Sequence, residues 1–324
     1  MRFGIQLAFD DASRLRDRAQ MAEALGFDAI YLPDHLFVEG PERQHDGRPA
    51  NDPMIEAAVI ATATKWVRIG HLVLCNLFRH PAITARSLST LDVVSAGRAI
   101  AGLGTGWTET EFRMTGLSFP DIGTRLKMLD EALASLRGLW GEKPFSFAGE
   151  FYRFEAATLL PRPVQRPHPP ILIGGGGKGM LRLAARHADA FNLISTVGRE
   201  GYIALATVNA FTEARFREKV RFLREETARQ GRDRNAVAVS QSCFSTILTD
   251  SPAATRAMAD GMAPMFGGSA DAVLRSPLAL VGTPEECVAE LRRRGREWEV
   301  EETIFSFAGE DWMRRLGEEV LRAV

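Results

Sequence analysis

Short apolar runs recur along the chain, and nearly every one is followed by a stretch with helical spacing. Phe3 to Ala8 alternates as a strand, and Ser13 stands where it would cap a helix reaching about Leu25 and ending at Gly26. Ala29 to Leu32 is a second strand. Asp52-Pro53 opens a helix to about Ala63, and Val67 to Leu74 is a third strand. Pro81 occupies the first turn of the next helix, a favoured place for proline, and Ser95-Ala96-Gly97 closes it. Arg98 to Leu103 is a fourth strand, with helical segments following to about Leu139.

Segment 144–170 breaks this rhythm. Phe145 to Phe147 and Phe151 to Phe154 flank Gly149-Glu150 as a hairpin, and five prolines between Pro161 and Pro170 follow. Such proline density suits an extended surface excursion, because strands and helices resume at once. Ile171 to Ile173 is strand five, Ala190 to Ile194 strand six, Val237 to Ile247 strand seven and Thr303 to Phe307 strand eight. Helical patterns at Lys178–Arg186, Glu213–Arg229 and Pro284–Arg294 separate them. Eight strands alternating with helices predict a single (β/α)8 TIM barrel over residues 1–324, with 144–170 as an insertion. An open doubly wound sheet is the runner-up. Residues 258–282, rich in glycine with Pro264 and Pro277, read equally as a mobile lid or an ordinary surface loop.

Composition narrows the function classes. Of 324 residues, 25% are charged and 45% hydrophobic, with a net charge of −1, so no overall field favours nucleic acid or an anionic membrane. The basic run Arg292 to Arg296 is expected to be a solvated helix end. Three cysteines without framework spacing point to a reducing compartment. With neither a signal-like start nor a run near the roughly 18 apolar residues of a span, the expectation is a cytoplasmic protein.

In an eight-fold barrel the ligand site lies where strands end. Strand two ends in Pro33-Asp34-His35, and a histidine beside a carboxylate is the leading acid–base candidate. Strand three ends near Leu74-Cys75-Asn76. Strand four ends in Gly104-Thr105-Gly106-Trp107, where Gly102, Gly104 and Gly106 bare one face for a flat ring and Trp107 adds an aromatic wall. Glu109 and Glu111 suit the first turn of the following helix. Strand five ends in Gly174-Gly175-Gly176-Gly177-Lys178, whose backbone N–H groups at a helix start would attract phosphate. Strand six ends near Asn192 and Ser195-Thr196. The glycine string also satisfies a dinucleotide fingerprint, but it lies mid-chain and lacks an acidic residue at the end of the next strand. A P-loop fails because Gly179, not a hydroxyl residue, follows Lys178. The six histidines show no metal-binding spacing.

The stretch RHPAITARSLSTLDVVSAGRAIAGLGTGWTETE, from Arg79 to Glu111, resembles the luciferase-like flavin and deazaflavin oxidoreductases and their "RHP…LD.LS.GR…G.G.GW…E" signature. Asp34-His35 and PRPVQRPHPPILIGGGG, residues 161–177, extend the resemblance over roughly residues 1–310, most closely to the branch using coenzyme F420. The resemblance implies a hydride-transferring oxidoreductase in which His35 gives or accepts a proton and Asp34 contacts the cofactor or tunes His35. It implies that His71, Leu72, Val73 and Leu74 back the ring, with a non-proline cis peptide within residues 71–74. Gly104, Thr105, Gly106 and Trp107 would flank the ring, while Gly174, Gly175, Gly176, Gly177, Lys178 and Ser195 would hold the phosphate. A homodimer is the implied assembly. The nearest alternative uses reduced FMN and oxygen, fed by a separate reductase, and the third is a barrel that binds a ligand without catalysis. Arg48, Lys178 and Arg182 are the cations placed to meet an acidic cofactor tail.

Overall fold

Alternation within the strands sorts side chains into an inner and an outer layer. In β2 (Ala29–Leu32), Ala29 and Tyr31 join a small interior cluster, whereas Ile30 and Leu32 join the layer under the helices. The computed structural model describes residues 1–8, 11–37, 48–196, 205–306 and 309–324.

The barrel is built from β1 (Arg2–Gln6), β2, β3 (Arg68–His71) continued by β4 (Leu74–Cys75), and β5 (Ala99–Gly104). After a hairpin of β6 (Phe145–Ala148) and β7 (Arg153–Ala157) come β8 (Ile171–Gly175), β9 (Ala190–Leu193) and β10 (Ala238–Cys243). β11 (Ser245–Leu248) and β12 (Ala279–Gly282) pair with each other, and β13 (Val300–Ser306) completes the barrel. The sheet runs β3-β2-β1-β13-β10-β9-β8-β5, and the pairing of β3 with β5 closes it. Every pairing in it is parallel, so the chain forms a (β/α)8 barrel, as its alternation predicts.

Helices on the outside are α1 (Leu15–Leu25), α2 (Pro53–Ala63), α3 (Pro81–Val94), α4 (Glu109–Thr115), α5 (Ile122–Trp140) and α6 (Lys178–His187). The second half adds α7 (Leu205–Asn209), α8 (Glu213–Arg229), α9 (Pro252–Met262), α10 (Ala270–Leu274), α11 (Pro284–Trp298) and α12 (Glu310–Arg315). No helix among the described residues is long and apolar enough to cross a membrane.

Several expectations need correction. Asp11, not Ser13, supplies the first cap, accepting the Ser13 N–H at 2.9 Å. Strand seven breaks after Cys243, and its second half leaves the barrel to pair with β12, an element hidden in a stretch that looks like loop. Strand eight is β13; Phe307 lies outside the described residues. The basic run is not all solvated. Arg294 is 0% exposed, bonded to Glu290 and to the Ser276 and Ala279 carbonyls. Residues 258–282 contain the end of α9, α10 and β12.

The inserted hairpin is docked on the barrel. Glu131 of α5 accepts the backbone N–H groups of Glu150, Phe151 and Tyr152 at 2.7 to 3.0 Å. The Tyr152 hydroxyl accepts from the Asn76 amide at 3.2 Å, tying the insertion to the end of β4. Buried Asp92 accepts the Val164 and Gln165 N–H groups and so pins the proline-rich excursion to α3.

Candidate functional site

The chain after β2 turns sharply at Pro33-Asp34-His35, and the two polar residues part company there. Asp34 is 5% exposed; Arg79 grips it with two bonds of 2.6 and 3.1 Å, and the Cys75 N–H adds one of 2.8 Å. His80 caps α3 through its ring nitrogen and Pro81 opens that helix, so Arg79 is held at a fixed approach to Asp34. Asp34 is therefore a clamp between the ends of β2 and β4.

His35 finds a different carboxylate. Its Nδ1 contacts Glu111 Oε1, while Glu111 Oε2 accepts the Leu36 N–H at 3.3 Å. Glu111 is 2% exposed, and it lies in the first turn of α4, where backbone dipoles favour a negative charge. The Trp107 ring stands edge-on to the imidazole, centroids 5.7 Å apart. Asp34 was expected to contact the cofactor or to tune His35; the carboxylate in contact with His35 is Glu111, whose place in a helix's first turn gave no sign of it.

The bulge between β3 and β4 occupies the glycine face of β5. Leu72-Val73 is a cis peptide, within the expected residues 71–74. A Cβ on Gly102 would lie 1.7 Å from the His71 carbonyl oxygen, and one on Gly104 would lie 2.5 Å from a Val73 methyl. These glycines admit the protein's own backbone and the Val73 side chain, so the face of β5 expected to be bare is covered by the bulge. The Leu72 carbonyl accepts from Gln6 at 3.3 Å, and Ser306 donates to Gln6 at 2.9 Å. Beneath the bulge His71 is fully buried; desolvation pushes it down to about 4, against the pull of Asp34, so it is neutral at ordinary pH. Burial pushes the Cys75 thiol up to about 12, which rules out a thiolate there. Gly106 is held from outside, its carbonyl accepting from Arg125 at 2.6 Å, and Thr105 is buried next to it.

Across the barrel mouth, Gly174 faces Val73, and Gly176 packs so tightly on the end of β9 that a Cβ would come 2.3 Å from the Ile194 carbonyl. Gly177 caps α6 with no side-chain bond, and a Cβ there would meet nothing within 4 Å. Only the cap position borders open space, since a Cβ on Gly179 would lie 2.6 Å from Leu126. Ser195 is 1% exposed with its hydroxyl unpartnered. Lys178 is exposed and lies 5.5 Å from the Phe222 ring of α8, with Arg182 over the same ring. The cation at the turn is Lys219, whose ammonium donates to the Gly176 carbonyl at 2.6 Å. Burial, helped by repulsion from Arg215, brings it down to about 8. No sequence motif marks Lys219, which reaches the turn from the long charged helix α8. An uncapped helix start, an orphan hydroxyl and a half-buried ammonium fit a phosphate group. No cluster suited to a metal ion occurs among the described residues.

The family model for luciferase-like monooxygenases matches residues 1–274. The chain belongs to that family. Among luciferase-like relatives, it is 34% identical over 203 residues to the F420-dependent glucose-6-phosphate dehydrogenase of Microbacterium testaceum, covering 62% of this chain. It is 30% identical over 220 residues to the FMNH(2)-dependent dimethylsulfone monooxygenase of Pseudomonas putida, covering 63% of this chain. The matches span 58% and 59% of those two proteins. The solved structure of coenzyme F420 dependent tetrahydromethanopterin reductase from Methanopyrus kandleri superposes with a TM-score of 0.75 at 20% identity, covering 99% of this chain and 98% of that one. At that identity the likeness speaks for the luciferase-like barrel fold.

Proposed function

We propose that this protein is an oxidoreductase that uses coenzyme F420 to move a hydride to or from a small organic substrate, with His35 handling the proton. The observation that carries the reading is the His35–Glu111 pair at the end of β2 and the start of α4, in a chain similar to F420-dependent dehydrogenases. When bound, the deazaflavin supplies or accepts the hydride. Val73 and its neighbours in the bulge back the ring, and Trp107 lines the substrate side. Gly176, Gly177, Ser195 and Lys219 hold the phosphate, with Lys178 and Arg182 outside them for an acidic tail. In the reducing direction, His35 gives its proton to the substrate heteroatom as hydride reaches carbon. In the oxidising direction it takes the hydroxyl proton as hydride leaves.

Asp34 serves this site as a clamp, through Arg79 and the Cys75 N–H. The second reading is a reduced-FMN monooxygenase served by a separate reductase, favoured by the similarity to the dimethylsulfone monooxygenase. The bulge and the phosphate turn suit either cofactor. A homodimer is part of the same proposal.

His35→Ala tests the assignment of the proton. Turnover with reduced F420 across a panel of imines, enones and ketones is expected to fall roughly 10²–10⁴-fold, with cofactor affinity kept within about threefold. A variant that binds F420 normally and turns over at the wild-type rate contradicts the role.

A further inference from the structure

We infer that the seam between α6 and α8 is a track for a polycarboxylate chain, the oligoglutamate tail of the cofactor, and that Arg182 sets the preference for a long tail over a short one. The inference rests on the proposed use of F420 and carries it outward from the glycine turn. On α6, Lys178 and Arg182 lie one turn apart and both are exposed. The Phe222 ring of α8 serves both, 5.5 Å from the Lys178 ammonium and 5.6 Å from the Arg182 guanidinium. An aromatic face holds two like charges close together without neutralising either. One turn before Phe222, Lys219 donates to the Gly176 carbonyl at 2.6 Å and so joins the seam to the glycine turn. Arg215 stands a further turn back on the same face of α8.

Among the described residues, the carboxylates that reach these cations are Glu218 and Glu226. Glu218 accepts from Arg215 at 2.7 Å, and that bond, with the charge of Lys178 nearby, holds its carboxyl below the usual range. Glu226 spends one oxygen on Arg229 and reaches Arg182 with the other only at 3.9 Å. Burial, and then repulsion from Arg215, bring Lys219 down to about 8, as a local excess of positive charge requires. The whole chain carries a net charge of −1, so this excess belongs to the seam and not to the surface at large. A lone phosphate on the glycine turn would use nothing beyond Lys219. A run of carboxylates leaving that phosphate would meet Lys178 and then Arg182, which would exchange its long contact with Glu226 for a tail carboxylate.

The experiment is fluorescence titration of cofactor-free protein with F420 bearing no glutamate and with F420 bearing about five, at roughly 0.05 M and roughly 0.5 M salt. The readout is the ratio of the two dissociation constants. An exposed ion pair is worth about two- to fivefold in binding. The wild type is therefore expected to favour the long-tailed form roughly tenfold at low salt and by less than about threefold at high salt. Arg182→Gln is expected to cut the low-salt ratio to about threefold. Glu226→Gln keeps the shape of the side chain and releases Arg182, and is expected to raise the ratio about two- to threefold. Equal affinity for the two forms at low salt, a preference undiminished at high salt, or a ratio that either variant leaves unmoved overturns the inference while the cofactor reading stands. Binding of neither form overturns both.

Discussion

Gly102→Ala is expected to cost about 3 kcal/mol or more of stability and to weaken cofactor binding, although the residue touches no ligand. The added methyl would stand 1.7 Å from the His71 carbonyl oxygen, and that neighbour is backbone, which has no rotamer to escape into. β5 lies between β3 and β8 in a closed barrel and cannot recede. The bulge over it must lift, and the surface at Val73 lifts with it. Thermal unfolding should show a midpoint lowered by roughly 4 °C or more, and F420 titration a loss of at least about tenfold in affinity. A variant with the wild-type melting temperature and wild-type affinity contradicts the account of the glycine face.

Asp34→Ala is the second large effect, and it separates a clamp from an acid–base residue. Removing the carboxylate leaves the Arg79 guanidinium, 18% exposed, without its bidentate partner, and the Cys75 N–H without an acceptor. Breaking a buried pair in this way costs about 3–5 kcal/mol. Asp34→Asn keeps an oxygen for the Cys75 N–H but loses the charge, and should fall between the two. Urea denaturation measures the cost, and a pH profile of turnover on Asp34→Asn checks the role. The expected result is lower stability with the midpoints of the profile unmoved. A shifted profile at unchanged stability would return Asp34 to the tuning role.

The strands were legible because each is an apolar run framed by turn residues, and their alternation with helical stretches leads to the barrel. The break after Cys243 was not, because Phe244-Ser245-Thr246-Ile247 carries no glycine or proline to mark a turn while the backbone changes partners from β13 to β12. Residues of the recognisable stretch turn out to be mostly scaffold. Arg79 grips Asp34, His80 and Pro81 start α3, Asp92 pins Gln165, and Arg98 gathers the carbonyls of Ala61, Thr64 and Val67. A local pattern marks such residues well, since each acts where the chain turns.

The pairings that make the site are a different matter. Glu111 meets His35 across 76 positions and Lys219 meets Gly176 across 43. Only barrel closure brings them together, so a carboxylate in a helix's first turn and a lysine in a charged helix carried no mark of their partners. The glycines of β5 carried an ambiguous one. Bare backbone can admit a ligand or another part of the chain, and here the chain itself fills the space.

The central claim is tested most directly by titrating purified protein, free of cofactor, with coenzyme F420 and separately with oxidised and reduced FMN, following fluorescence and difference absorbance. The account predicts F420 binding at micromolar concentration or tighter, at least about tenfold stronger than either form of FMN. Tighter binding of reduced FMN, or binding of neither cofactor, would contradict it.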